Sequence, residues 1–169
     1  MTDRFLITTL TVLLMFMTAG HNIARAQHII AGSGTSVAVT SDYKVYPGDA
    51  ADHEIRYVVR QDRHTSGEPD WNDVTSMVYS LIDQQGINGT HSGYQVFTHA
   101  NGDRSFSKFT GKQTVRRTTG GGTELHFEGT FQWTGGTGKF EYINGSGTYK
   151  GKIDAAGVTT YTYEGNANY

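Results

Sequence analysis

Aromatic side chains are the residues whose types and spacing most directly suggest chemistry in this sequence. In the segment 123–134, TELHFEGTFQWT, they alternate with polar residues, so that Phe127, Phe131 and Trp133 share one face of a predicted strand. Most aromatic residues are expected to form the core, but a pocket lined by such rings also suits a small apolar or aromatic ligand. The seven candidate ligand-binding residues are Tyr57, Tyr79, Phe97, Phe127, Phe131, Trp133 and Tyr149.

Histidine side chains give fewer signs of acid–base or metal chemistry. None of the six histidines after residue 26 has the His-Glu-x-x-His spacing of a helical zinc site. His126 and Glu128 share a strand face, an arrangement that fits a metal site, an acid–base pair or an ordinary solvated surface. The chain contains no cysteine, which excludes disulfides, thiol catalysis and thiolate metal sites. The sequence therefore predicts no metal and no cofactor.

Four carboxylates lie in or beside predicted strands and are candidates for acid–base work. A carboxyl group that points into an apolar cavity has a raised pKa and can serve as a general acid. The alternation does not determine which of the four, if any, points inward, so no catalytic residue is assigned. The four residues are Asp42, Glu54, Asp83 and Glu164.

Two familiar catalytic motifs and a nucleic-acid partner are excluded. A phosphate-binding loop requires glycine five residues before Gly138 and Ser or Thr after Lys139, but Trp133 and Phe140 occupy those positions. The Gly-x-Ser-x-Gly turn of one hydrolase class is absent. With 14 basic and 16 acidic residues the net charge is −2, which provides no electrostatic attraction to nucleic acid.

The first 26 residues have the three-part pattern of a secretory signal peptide. A charged start is followed by the apolar run FLITTLTVLLMFM at 5–17 and then by Ala24-Arg25-Ala26. That run is too short to span roughly 30 Å of hydrocarbon. We expect cleavage after Ala26, with an uncleaved anchor or a buried helix as the alternatives. The mature protein is then secreted or periplasmic, has no membrane anchor, and consists of one domain, residues 27–169.

The elements that position the candidate residues are predicted to be strands. Apolar residues recur at every second position, and the sequence contains no convincing long amphipathic helix. Short turns such as Asn101-Gly102 favour antiparallel pairing. The segment 62–73 is predicted to be a long loop in which Trp71 acts as a lid or packs against the rim. The predicted strands span residues 36–45, 54–61, 75–83, 93–98, 104–117, 123–134, 146–154 and 158–165.

About eight antiparallel strands can close into a barrel or stack as a two-sheet sandwich. Glycine recurs inside several strands, as at Gly129, where strong curvature or close packing requires it. We therefore predict an all-β fold with a single antiparallel barrel of about eight strands. The interior of such a barrel is either filled by side chains or holds one small ligand.

The segment 129–151, GTFQWTGGTGKFEYINGSGTYKG, resembles the allene oxide cyclase and dirigent proteins, a calycin-type group of barrels. The resemblance rests on an aromatic strand, the glycine box 135–140 (GGTGKF) and the glycine-containing strand that follows. It implies an eight-stranded barrel with a central cavity, a possible homo-trimer, and small hydrophobic or phenolic molecules as ligands or substrates. In that family the box forms a tight turn and a short helical link between two late strands. Within the box, glycine is expected to provide the turns, Thr137 to cap and Phe140 to fill the core.

Three functions remain open at this point. The first is a binding protein that holds a small hydrophobic molecule in the barrel, suggested by the aromatic alternation and the absence of a catalytic motif. The second is a cyclase, isomerase or stereo-controlling enzyme, implied by the resemblance; it requires an ionisable residue inside the cavity. The third is an oligomeric interaction module, suggested by the segment 75–83, which is apolar on both faces.

Overall fold

The structure, a computed structural model, describes residues 27–169 and shows an all-β protein. Eight strands form a closed antiparallel barrel in which each strand pairs with the next and β8 pairs with β1. This confirms the predicted fold class and excludes the sandwich. The strands are β1 Gln27–Val45, β2 His53–Ser66, β3 Thr75–Gln85, β4 Asn88–Thr98, β5 Arg104–Arg117, β6 Thr123–Gly136, β7 Ser146–Ile153 and β8 Thr159–Asn168.

The predicted signal peptide, residues 1–26, lies outside the described residues. Among the described residues no helix is long and apolar enough to cross a lipid bilayer. The helical content of this part of the chain consists of two 3₁₀ turns, Pro69–Trp71 between β2 and β3 and Gly138–Phe140 between β6 and β7.

Strand β5 has the predicted bounds, whereas several other strands are longer than predicted. β1 begins at Gln27 rather than at residue 36, because its glycine-rich first half pairs with β8. β2 continues to Ser66, so the prediction of a loop from residue 62 is wrong. Asp62 and His64 are polar, but both lie buried inside the barrel and form hydrogen bonds there. Their polarity indicates a buried network rather than a loop.

Glycines inside the strands make room for aromatic rings that lie across the barrel interior. A Cβ atom added at Gly129 would collide with the Tyr149 side chain, and one added at Gly147 would collide with the Phe131 ring. Neither glycine has a positive φ, so close packing and not backbone conformation requires glycine at these positions. The same collision with an aromatic side chain occurs at Gly32, Gly34, Gly93 and Gly151.

One end of the barrel, called the floor below, is closed by a buried apolar cluster. Trp71 is 1% exposed and packs against Trp133 with 4.8 Å between ring centroids. Trp71 therefore fills the floor and is not a lid. The opposite end, called the mouth, contains the β1–β2, β3–β4, β5–β6 and β7–β8 connections. The floor cluster consists of Ile30, Trp71, Val74, Phe97, Trp133, Phe140, Ile143 and Ala167.

The glycine box links β6 to β7 and contributes to the floor. Gly135 and Gly138 have φ values of 131° and 53°, which favour glycine. Phe140 is 1% exposed and stacks on His99 with 3.9 Å between ring centroids, as the prediction of a core-filling role requires. Thr137 is the N-cap residue of the 3₁₀ turn, but its side chain makes no capping bond; the hydroxyl oxygen instead accepts a hydrogen bond from the Arg104 backbone N–H at 2.9 Å.

Candidate functional site

A cavity of about 80 Å³ lies inside the barrel between the floor and the mouth. An apolar cavity of roughly 150 Å³ holds one benzene molecule, so a ring-sized ligand would have to extend toward the mouth or displace side chains. The aromatic part of the wall is formed by Phe97, Phe109, Phe127, Phe131 and Trp133. The polar part of the wall is formed by Arg60, His64, Ser80, His91, Gln95, Ser107, Gln113, Tyr149, Tyr161 and Tyr163.

The structure brings five of the seven predicted aromatic residues together and separates the other two from them. Phe97, Phe127, Phe131, Trp133 and Tyr149 all line the cavity. Their strands β4, β6 and β7 carry these residues on the inward face, as the alternation in 123–134 indicates for β6.

Tyr57 and Tyr79 lie on the outside of the barrel, where 42% and 37% of their surfaces are exposed. The prediction that these two residues line the cavity is wrong, because the alternation of side chains along β2 and β3 directs them outward. Arg60 and His64 on β2 and Val78 on β3 point inward, so the residues at odd distances from them point outward. The more apolar face of β2, Ile55-Tyr57-Val59, therefore points outward, opposite to what its alternation indicates, whereas β3 is apolar on both faces and takes its phase from its partners.

A buried ion pair forms one side of the cavity. Asp62 is 0% exposed, and both of its carboxylate oxygens accept hydrogen bonds from Arg60 Nε, at 2.9 and 3.1 Å. The Tyr161 hydroxyl donates to Asp62 Oδ2 at 2.9 Å. Burial and the neighbouring Asp62 charge raise the pKa of Tyr161 well above its ordinary value, so Tyr161 is a neutral donor. The charges of Arg60 and Asp62 cancel.

The network continues from Tyr161 to His64. The Gln95 amide nitrogen donates to the Tyr161 hydroxyl at 3.1 Å and to Ser76 Oγ at 2.8 Å, and it lies 3.3 Å from His64 Nε2. His64 Nε2 is also hydrogen-bonded to Ser76 Oγ at 2.8 Å. Burial lowers the pKa of His64 to about 4, so its ring is neutral near pH 7. Its Nδ1 has no hydrogen-bond partner among the described residues.

A second polar pair lies on β4 and β7. His91 Nε2 and the Tyr149 hydroxyl are 2.7 Å apart, and they meet over Gly111 and Gly129, which have no side chains to separate them. Burial lowers the pKa of His91 to about 4 and raises the pKa of Tyr149. Both groups are therefore uncharged near neutral pH. In the described chain, His91 Nδ1 and the buried Tyr163 hydroxyl have no hydrogen-bond partner.

The ionisable residues of the cavity differ from those proposed from the sequence. Asp42 pairs with Arg56, Glu54 with Lys44, and Asp83 with His53, all outside the cavity lining, while Glu164 is exposed on β8. His126 pairs with Glu124 outside the cavity, not with Glu128. No group of three or more potential metal ligands occurs within residues 27–169.

Asp62 and His64 were missed because 62–73 was interpreted as a loop, whereas Arg60 was missed because it lies on the more polar face of the predicted strand 54–61. The sequence does contain a signal for them, since every second residue of Arg60-Gln61-Asp62-Arg63-His64 continues the inward phase of β2. Tyr161 lies at an inward position of β8 that the same alternation indicates. The alternation does not indicate that charged side chains lie inside the barrel, because burial of one charge requires an oppositely charged partner beside it.

The outer face of β1–β4 carries an apolar patch, defined by Tyr43, Tyr57, Tyr79, Leu81 and Tyr94. Tyr43 lies opposite Tyr57, Tyr57 opposite Leu81, and Tyr79 opposite Tyr94. Between 37% and 67% of each residue is exposed. Contiguous exposed apolar side chains of this kind often mark an interaction surface.

Comparison with known proteins leaves the chain without an assigned family. No protein-family model matches it, and no curated protein matches it significantly. The interior geometry is consequently the main guide to function. A partly aromatic cavity with a neutral buried ion pair and polar atoms that lack partners can hold a small, mostly apolar molecule and orient it by hydrogen bonds.

Proposed function

We propose that this protein is exported and binds a small hydrophobic or aromatic molecule in the barrel cavity. The observation that carries this proposal is the aromatic-lined cavity between a closed floor and the mouth. Burial of a ring against Phe127 and Phe131 would remove apolar surface from water, at about 25 cal/mol per Å². Export rests on the signal pattern of residues 1–26.

The proposed relation to the allene oxide cyclase and dirigent proteins is supported by two features. The chain has the eight-stranded barrel that the resemblance implies, and its glycine box forms a turn and a short 3₁₀ link between β6 and β7. A barrel of this kind occurs in unrelated proteins, so the relation remains part of the proposal.

Native mass spectrometry of the exported protein, purified without refolding, tests the binding function. We expect a bound small molecule in the wild type, and its loss in Ser80→Leu, which places an apolar side chain in the cavity. The matched control is Ser92→Leu on the same sheet, where the side chain is exposed and lies opposite Leu81. Equal occupancy in both variants would place the bound molecule outside the cavity and contradict the proposal.

A second candidate function is that of a cyclase or isomerase, as the resemblance implies. The observation that favours it is the presence of ionisable groups inside the barrel, namely Arg60 with Asp62 and the neutral His91–Tyr149 pair. Such groups can move a proton or stabilise a developing charge. If the bound molecule is converted to a product, Tyr149→Phe should slow turnover strongly and leave binding nearly unchanged; unaltered turnover would argue against this role.

A third candidate is an oligomeric module, with a homo-trimer as the form that the resemblance implies. The apolar patch on β1–β4 favours it. Light scattering at micromolar protein concentration measures the oligomer, and Leu81→Lys at the centre of the patch should dissociate it. A wild-type monomer under these conditions would remove the support for this candidate.

A further inference from the structure

The terminal edge of the Arg60 guanidinium is an unused donor at the cavity wall. Arg60 lines the cavity, and 17% of its side chain is accessible although its partner Asp62 is fully buried. The hydrogen bonds that Arg60 makes within the described chain all use Nε. Nη1 and Nη2 make no hydrogen bond of good geometry within the described chain, although the guanidinium lies beside Tyr161, with its carbon 5.8 Å from the ring centroid and a side-chain interaction with the hydroxyl. An arginine presents these donors in a fixed plane suited to an acceptor oxygen.

Tyr161, the neighbour of this guanidinium, can satisfy at most one of its four terminal N–H donors. Its hydroxyl already donates to Asp62 and accepts from Gln95. His64 Nδ1 and His91 Nδ1 are further buried cavity atoms that have no hydrogen-bond partner in residues 27–169. The terminal N–H groups of Arg60 require an acceptor, and a ligand can supply it.

The charges around the cavity indicate that this acceptor is uncharged. Arg60 and Asp62 neutralise each other, and the two cavity histidines and the tyrosines are neutral. A carboxylate placed beside Arg60 would be a second anion for a single cation in a low-dielectric interior, which carries a desolvation cost that a neutral oxygen avoids. A carbonyl oxygen accepts hydrogen bonds without adding charge.

We infer that the ligand of this cavity is an uncharged molecule with a ketone or aldehyde carbonyl, whose oxygen binds the Nη1–Nη2 edge of Arg60. This inference rests on the proposed binding function and specifies its ligand class. The apolar body of the ligand lies against the Phe109, Phe127 and Phe131 side of the wall. Arg60 then polarises the carbonyl, which is the arrangement that a reaction at this group would also need.

The test compares three probes of similar shape: acetophenone, ethylbenzene and benzoate. Binding to the full mature chain is measured by titration with detection by ¹⁵N–¹H NMR, which is sensitive to weak binding. We expect acetophenone to bind about 10-fold or more tightly than ethylbenzene, because hydrogen bonds to a charged donor contribute strongly. Benzoate should bind more weakly than acetophenone. The infrared C=O band of bound acetophenone should lie below its frequency in an apolar solvent.

The double variant Arg60→Met/Asp62→Asn removes the donors and keeps the cavity neutral. It should bind acetophenone no better than ethylbenzene and should bind ethylbenzene as the wild type does. Lys44→Met is the control, since Lys44 is an exposed cation that pairs with Glu54 outside the cavity lining. It should retain the acetophenone preference.

The outcomes separate this inference from the function on which it rests. Equal binding of acetophenone and ethylbenzene by the wild type overturns the carbonyl site but leaves a binding cavity. Tighter binding of benzoate than of acetophenone overturns the uncharged ligand. If none of the three probes binds, both the inference and the proposed function fail. The comparison of probes on the wild type needs no variant, so a variant that does not fold leaves the test intact.

Discussion

Removal of the Arg60 charge should destabilise the barrel, and removal of both charges should restore much of the loss. Asp62 is 0% exposed and in Arg60→Met loses the one cationic partner it has within residues 27–169, retaining the Tyr161 hydroxyl as a donor. Breaking a buried pair from one side costs about 3–5 kcal/mol, because an uncompensated charge remains. Relative to a total stability of about 5–15 kcal/mol for a typical domain, this is a large fraction.

The double variant Arg60→Met/Asp62→Asn leaves no buried charge at this position. The asparagine carbonyl can still accept the Tyr161 hydrogen bond, so we expect the double variant to lie within about 2 kcal/mol of the wild type. The two substitutions should therefore be strongly non-additive. An exposed pair provides the control: Lys44→Met, at a lysine whose side chain is 43% exposed, should change stability by no more than about 1 kcal/mol.

Equilibrium unfolding in urea measures these differences, with Trp71 and Trp133 as buried fluorescence probes and far-UV circular dichroism as a second probe. Coincident transitions from the two probes justify linear extrapolation of the free energy of unfolding. A loss below about 1 kcal/mol in Arg60→Met, or additive losses in the double variant, would refute the argument that this pair is a coupled buried unit.

Three further predictions follow from the packing and the histidines. Gly129→Ala should lower the free energy of unfolding by about 1–3 kcal/mol, because the added methyl group overpacks against Tyr149. Gly120→Ala, whose methyl group would meet no atom within 4 Å, should change this free energy by less than about 0.5 kcal/mol. Equal effects of the two substitutions on unfolding in urea would contradict this prediction. Burial lowers the pKa of His64 and His91 to about 4, so their contribution is complete above an unfolded pKa near 6.5 and is lost as pH falls toward 4. The loss is roughly 3 kcal/mol for each histidine at most, and a flat stability profile from pH 7 to pH 4 would exclude it. Trp71→Ala should open the floor at a cost of about 3–5 kcal/mol, measured as a fall in Tm; an unchanged Tm would show that the floor cluster is not a structural closure.

The strand content of the barrel was predictable because period-two alternation is a local property. Arg104–Arg117 has the predicted bounds, and the aromatic face predicted for Thr123–Gly136 is the one that the closed barrel turns inward. Phe127, Phe131 and Trp133 consequently lie where the pattern indicates. The ends of β1 and β2 were not predictable in the same way, because glycine-rich and polar segments become strand only through pairing with β8 and β3.

The candidate site was only partly predictable. Tyr79 belongs to a strand whose two faces are both apolar, so its direction depends on which neighbours lie inside the barrel. Tyr57 lies on the more apolar face of β2, which the structure nevertheless turns outward. Asp62 and His64 were predicted to lie in a polar loop, but the structure buries them. Their polar atoms are satisfied inside the barrel by hydrogen bonds to Arg60, Ser76 and Tyr161.

The sequence by itself determined the class of this protein: an all-β chain of alternating strands, without cysteine, near neutrality, with a signal-like start. Only the tertiary structure decided which side chains share the cavity. Closing the barrel brings β2 and β8, which are distant in the chain, to the same wall, so that Asp62 bonds Tyr161 across 99 positions of sequence. The neutrality of His64 and the position of Arg60 at the cavity wall depend on such contacts, and no local pattern records them.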